Sequence, residues 1–318
     1  MKESDDGAGC WTWRSTLGRI ARRWRPLVTF SVAFSLLEAA LLAPAAALVL
    51  RLALQTWGRC SVGNFEIVAF FLSPAGLVGL AILIGLQLTT LHLRLTGLMG
   101  VLAGDGPGVW HAFDVVKRLP ALVKLDVVQA VLYLLLVAPF AAAGALAYFQ
   151  LWGPHDLNRL VVDRPPEFWR GAAVLAVLAA AYALAAAGLY VRWLFAVPAV
   201  LFEGVRAPWT ALRSSARRTS GRVVRLGLVV AAFAGATAAA WSATSWALGA
   251  INGFVLDHVD HGPRRAVAAT AGLLAFDALV LAALSAAAAT AFAAIVMVGY
   301  QRAGGVIREA TVAEPRAR

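Results

Sequence analysis

Charge is the component that this 318-residue sequence most clearly lacks. Only 14% of its residues are charged, while 61% are hydrophobic, and an average soluble domain is about 25% charged. A soluble fold of this size could not remove so much apolar surface from water, since roughly a quarter of the surface of an unfolded chain stays exposed after folding. The composition therefore excludes a soluble cytosolic enzyme and predicts an all-α integral membrane protein.

Cysteine and metal-ligand clusters are also scarce. The two cysteines, Cys10 and Cys60, fall on opposite faces of the membrane in the topology predicted below, so they cannot pair with each other. The densest group of His and Asp, residues 257–261, lies in one short loop, where neighbouring side chains rarely converge on one ion. The glycine-rich stretch 104–108 has no Lys-Ser/Thr ending of a phosphate loop. We therefore predict no metal and no cofactor.

Six apolar stretches are long enough to cross a hydrocarbon core of about 30 Å, which takes about 20 helical residues. If the N-terminus is inside, 20 of the 28 Lys and Arg residues lie in cytoplasmic segments and 7 in external loops. The positive-inside rule then predicts that both termini are cytoplasmic. The predicted spans are 26–50, 66–90, 125–151, 170–202, 226–254 and 266–300. They form one membrane domain (1–318), comprising a basic amphipathic segment (1–25), the six spans (26–301) and a cytoplasmic tail (302–318).

Similar aromatic and basic residues precede spans one, three and five. Trp13, Trp110 and Trp209 are 97 and 99 residues apart, and a basic pair follows each. Because Trp prefers headgroup depth and Arg binds lipid phosphate, the pattern predicts three cytoplasmic interfacial amphipathic helices, in three parallel two-span repeats. The alternative is that every span starting inside needs such residues before it. The predicted contacts with anionic phospholipid are Trp13, Arg22, Arg23, Trp110, Lys117, Arg118, Trp209, Arg213, Arg217, Arg218 and Arg222.

Glu38 and Asp277 lie near the middle of predicted spans one and six, and Arg192 lies within span four, nearer its cytoplasmic end. An ionisable group in hydrocarbon is expensive, so such residues are candidates for a ligand site. The structural alternative is that each carboxyl group is protonated and hydrogen-bonded between helices, while Arg192 extends its guanidinium to the nearby interface. In a functional interpretation, the three residues line a path through a small-solute or lipid transporter.

One segment resembles the signature of a known family. A Trp-x-Phe-x-x-Pro run that ends in Glu-Gly lies within residues 192–204, and an Ala-Leu-x-x-Ser-x-x-x-Thr-x-Gly pattern follows at residues 211–221. Both are similar to the membrane domain of bacterial glycerophosphodiester phosphodiesterases, and the six-span layout agrees with that family along the chain. The resemblance implies a non-catalytic inner-membrane scaffold or anchor, linked to phospholipid and glycerophosphodiester metabolism.

The predicted external loop between spans three and four extends the resemblance. It contains a His-Asp-Leu-Asn run and, further on, Pro-Pro-Glu-Phe, similar to a loop of the same family. His155, Asp156 and Asn158 are therefore candidates for recognising an extracytoplasmic ligand. Turn and helix-capping roles are the alternative, since Asp and Asn are frequent at both positions.

The family's enzymes carry a catalytic barrel after the membrane domain, beginning with a His-Arg-Gly motif. This sequence contains no His-Arg dipeptide and no soluble stretch of the roughly 200 residues that a barrel needs. We therefore expect no enzymatic activity, unless a partner or a longer native chain supplies a hydrolase. The expected partners are anionic phospholipids and a separate glycerophosphodiesterase or another membrane protein, but not nucleic acid. Arg-rich, Lys-poor usage, with three lysines, favours a bacterial inner membrane.

Overall fold

The computed structural model describes residues 13–57, 73–104, 110–153, 162–258 and 262–307. Within these residues every regular element is an α-helix, as the composition predicts. In chain order the helices are α1 (Trp13–Arg22), α2 (Trp24–Trp57), α3 (Pro74–Ala103), α4 (Trp110–Leu151), α5 (Pro166–Trp193), α6 (Ala196–Phe202), α7 (Pro208–Thr219), α8 (Val223–His258) and α9 (Pro263–Arg302).

Six stretches of the described chain are long and apolar enough to cross a membrane. They are formed by α2, α3, α4, α5 together with α6, α8, and α9. Large apolar side chains such as Leu36, Val177 and Leu184 are exposed along their sides. Soluble monomers rarely expose contiguous apolar surface on this scale, whereas lipid covers it without cost. The prediction of six membrane-spanning helices is confirmed in length and composition.

The second span differs from its predicted position. It was expected at 66–90, but α3 begins at Pro74, where the Ser73 hydroxyl accepts a hydrogen bond from the Gly76 amide (3.1 Å), and it continues to Ala103. Pro in the first turn and Ser before it are typical of a helix start. The helix continues beyond residue 90 because leucines at helical spacing still face the bundle there. Its polar residues in this part therefore lie between helices and not in a loop.

The three predicted interfacial segments do not form equivalent structures. The first and third form the separate short helices α1 and α7. The second forms the first turns of α4, which continues without a break into the third span. A threefold repeat of one two-span unit therefore stays a prediction.

The most densely packed part of the bundle lies at one end. Leu98, Met99 and Leu102 of α3 are fully buried, and Phe30 of α2 and Met297 of α9 belong to the same core cluster. The short helices α1, α6 and α7 lie at this end, which we call the basic end of the bundle. In a bilayer, lipid is as apolar as leucine, so close packing and polar contacts stabilise the bundle more than water exclusion does.

Gly97 provides a test of the packing between the first two spans. A Cβ atom added at Gly97 would overlap the ring of Phe30, whereas one added at Gly85, on the same helix, would meet nothing within 4 Å. We expect Gly97→Ala to destabilise the protein by about 1–3 kcal/mol, the usual cost of overpacking. Gly85→Ala should be neutral or slightly stabilising. Thermal unfolding in detergent measures both, and equal effects would contradict the described contact.

Candidate functional site

The fourth span is broken near the basic end. α5 ends at Trp193 and α6 begins at Ala196. The hydroxyl of Ser215, on α7, donates to the Arg192 carbonyl (2.7 Å) and accepts from the Phe195 amide (3.0 Å). One side chain thus bonds two backbone groups at the break, and the Thr219 hydroxyl adds a longer contact to the Arg192 carbonyl (3.4 Å). An unpaired amide or carbonyl in this environment costs several kcal/mol, so α7 supports the shape of the span.

A glycine turn returns the chain from α6 to α7. Gly204 has a positive φ of 69°, a conformation that costs little only for glycine. A Cβ atom there would also lie 3.2 Å from a guanidinium nitrogen of Arg118, which reaches the turn from α4. Ala211 and Leu212 of α7 are then buried in a second core cluster. The returning helix is therefore packed on the protein along one face.

A closed polar triangle joins this turn to the last span. Arg218 donates to the Glu203 carboxylate (2.6 Å) and to the Tyr300 hydroxyl (2.9 Å), and the Tyr300 hydroxyl donates to the same Glu203 oxygen (2.6 Å). The Arg218 guanidinium carbon also lies 4.9 Å from the centre of the Tyr300 ring, within cation–π range. We call this the Glu203–Arg218–Tyr300 cluster. It links α6, α7 and α9.

The electrostatics of the cluster favour a permanent cation. Desolvation acts to lower the pKa of Arg218, but the hydrogen bond and the charge of Glu203, with the contribution of Tyr300, outweigh it and raise the pKa. Both charged side chains keep roughly a quarter of their surface accessible, so solvent screens part of the attraction. The three side chains of the cluster bond to one another. This arrangement indicates a role in positioning the helices and not in acid–base chemistry.

A histidine–aspartate pair lies inside the bundle. His92 of α3 contacts Asp126 of α4 through Nδ1 and Oδ1, and both side chains are buried. The Thr96 hydroxyl donates to the His92 carbonyl (2.5 Å). Sequence reasoning missed both residues: His92 fell beyond the second predicted span, which ended at residue 90, and Asp126 lay at the start of the third, where it was not singled out. The leucines at helical spacing around His92 were the available signal.

The three charged candidates within the spans lie apart from one another in the bundle. Glu38 is 3.9 Å from Arg94, between α2 and α3. Asp277 accepts a hydrogen bond from Asn252 (2.7 Å), between α8 and α9. Arg192 has an exposed side chain at the end of α5. No contact among the described residues joins one member of this trio to another.

Several residues that were predicted to contact lipid form contacts with other parts of the protein. Arg23 donates to the Val101 carbonyl (2.9 Å) and Arg222 to the Arg302 carbonyl (2.8 Å), while Arg118 and Arg218 have the contacts given above. Arg22, Lys117, Trp209, Arg213 and Arg217 have exposed side chains.

Other predicted residues give less structural information. Trp13 and Trp110 begin α1 and α4. His155, Asp156 and Asn158 lie outside the described residues.

The sequence can now be placed among known proteins. A family model described as the membrane domain of glycerophosphoryl diester phosphodiesterase matches residues 13–305. The chain belongs to this family. No curated protein and no solved structure matches it. The matched residues include the broken span, α7 and the cluster. The family is defined by the membrane domain and not by the catalytic domain.

Two adjacent serines test the role of α7 in this membrane domain. The Ser215 hydroxyl bridges the break, whereas the Ser214 hydroxyl donates only within α7, to the Ala211 carbonyl (2.9 Å). We expect Ser215→Ala to cost about 1–3 kcal/mol, because it leaves the Phe195 amide without its partner and the Arg192 carbonyl with only the longer contact from the Thr219 hydroxyl (3.4 Å). Ser214→Ala should cost less than about 0.5 kcal/mol, as exposed substitutions do. Unfolding in detergent measures both, and a Ser215→Ala variant as stable as Ser214→Ala would refute the bridging role.

Proposed function

We propose that this membrane domain is a non-catalytic scaffold or anchor in the bacterial inner membrane, with both termini in the cytoplasm. It would serve phospholipid and glycerophosphodiester metabolism, with hydrolysis supplied by a separate glycerophosphodiester phosphodiesterase or by another domain. Membership of a membrane-domain family supports this proposal. The single structural observation that carries it is α7, a surface helix held firmly against the bundle.

The two faces of α7 differ in a way that suits a recognition surface. Leu212 and Ser215 are buried against the bundle, whereas Trp209, Arg213 and Arg217 are exposed. Exposed Trp and Arg are typical both of contacts with anionic headgroups and of binding hot spots. Because the bundle fixes the helix, these side chains are presented in one arrangement, which lowers the entropic cost of binding. We infer that this surface rests at the inner leaflet and receives the partner hydrolase there.

A transporter for small solutes or lipids is the second candidate. A cavity of about 500 Å³ between α2 and α3 has Glu38 and Gln87 among otherwise apolar lining residues, so it offers two of the polar groups that a path would need. Asp277 pairs with Asn252 between α8 and α9, and Arg192 is exposed at the end of α5, so a path through all three residues would require a different arrangement of helices. We therefore favour the scaffold.

Recruitment to vesicles tests the scaffold directly. The full chain is reconstituted into phosphatidylglycerol-containing vesicles, and a purified glycerophosphodiesterase barrel is added. We expect the barrel to sediment with these vesicles, and Arg213→Glu with Arg217→Glu to weaken recruitment at least tenfold, because each charge near the surface contributes about 1 kcal/mol. The matched control is Arg51→Glu with Arg170→Glu, two exposed arginines at the opposite end of the bundle.

The same vesicles distinguish the other functions. Uptake of a radiolabelled glycerophosphodiester that Glu38→Gln abolishes would establish the transporter and refute the scaffold. Hydrolysis by the reconstituted chain without added barrel would contradict a non-catalytic role. Equal recruitment to protein-free vesicles would also overturn the proposal.

A further inference from the structure

A groove with a basic entrance lies between the ends of α8 and α9. Its cavity is about 490 Å³, within the range of small-molecule sites. Arg222, Arg225 and Val229 line one side of the groove, and residues from α9 line the other. None of the described lining residues is acidic, so the groove has an uncompensated positive charge.

Helical spacing explains how the groove is built. The lining positions 222, 225, 226 and 229 form one stripe, and 295, 298, 299 and 302 form another, since residues three, four and seven apart share a face of a helix. In both stripes the arginines lie at the basic end and the aliphatic residues lie deeper. At a rise of 1.5 Å per residue, Ile295 lies roughly 10 Å further into the bundle than Arg302. The groove thus changes from cationic to apolar along the membrane normal.

We propose that this groove binds one anionic phospholipid of the inner leaflet. The guanidinium groups of Arg222, Arg225 and Arg302 would bind its phosphate, and an acyl chain would lie along Val229 and Ile295. The proposal rests on the orientation given under the proposed function. Guanidinium forks suit phosphate oxygens, with which they form paired hydrogen bonds. The bond from Arg222 to the Arg302 carbonyl uses one nitrogen of its fork and holds that fork at the entrance.

The apolar walls favour a lipid over a soluble phosphate compound. A soluble anion would bind the arginines and leave the deeper walls uncovered, whereas a lipid matches both parts. The groove also reaches the broken span, because Phe195 lines it. The Phe195 ring packs against Tyr300 with ring centres 5.7 Å apart, and its amide bonds Ser215. A bound lipid would therefore contact the residue on which the break and the cluster converge.

Native mass spectrometry of the full chain in mild detergent, titrated with phosphatidylglycerol, tests the site. Wild type should bind one lipid with high affinity. Each charge near an anionic headgroup accounts for about fivefold in affinity, so Arg222→Gln with Arg225→Gln and Arg302→Gln should weaken binding about 100-fold. The matched control replaces Arg25, Lys124 and Arg206, three exposed basic residues outside the groove, by Gln and should keep wild-type affinity. Equal losses in both triple variants would overturn the proposal.

Two single variants make the test independent of the triple variant's folding. Arg225→Gln should weaken binding about fivefold. Val229→Phe fills the apolar part without changing charge, and it should weaken lipid binding at least tenfold while leaving the thermal stability near wild type. If Val229→Phe keeps full lipid affinity and millimolar inorganic phosphate displaces the lipid, the site binds a soluble anion and the lipid proposal is wrong. Failure of barrel recruitment with lipid binding intact would refute the scaffold alone.

Discussion

The hydroxyl of Ser215 is the contact on which the basic end of this membrane domain depends. A helix that breaks near the membrane surface leaves an amide and a carbonyl without partners, and such groups are expensive where water is scarce. Ser215 bonds the Arg192 carbonyl and the Phe195 amide together. The bond requires α7 to fold back onto the break, and the glycine turn at Gly204 makes that return possible. The position of the broken span and the position of α7 therefore determine each other.

The Glu203–Arg218–Tyr300 cluster extends this constraint to the last span. Arg218 and Glu203 come from the two sides of the turn, and Tyr300 comes from α9. Tyr300 is fully buried in the larger core cluster together with Phe195. Movement of α7 would consequently disturb the packing of α9, so the exposed face of α7 has a fixed position on the bundle. The scaffold role proposed above requires such a fixed surface.

Polar groups within the bundle are likewise paired between neighbouring helices. His92 meets Asp126, Glu38 lies near Arg94, and Asn252 donates to Asp277. Each pair joins two neighbouring spans and reduces the cost of burying its own charge or dipole. In lipid, where apolar helices have little reason to associate, such pairs also give each interface its register.

The sequence predicted the helical class, six spans and the family, because apolar length and the motif at residues 192–221 are local properties. It did not predict that α3 continues past residue 90 through His92 and Arg94. Hydropathy assigns both residues to a loop, because it does not include their partners on α4 and α2. The sequence alone also did not show that the second interfacial segment continues from Trp110 into the span as one helix, α4; the three interfacial helices stay a prediction. The groove of Arg222, Arg225 and Arg302 combines residues far apart in the chain. Only the packing of α8 against α9 brings them together.

A double-mutant cycle between Glu203 and Arg218 tests most directly whether α7 is held on the broken span. Glu203→Gln, Arg218→Gln and the double variant are compared with wild type by reversible unfolding of the full chain in mixed micelles. Residues that share a hydrogen-bonded charge pair show coupling energies on the order of 1 kcal/mol or more. We predict coupling of that size, with the double variant losing less stability than the sum of the two single variants. Strict additivity would contradict the account, because it would mean that α7 lies on the bundle without this bond.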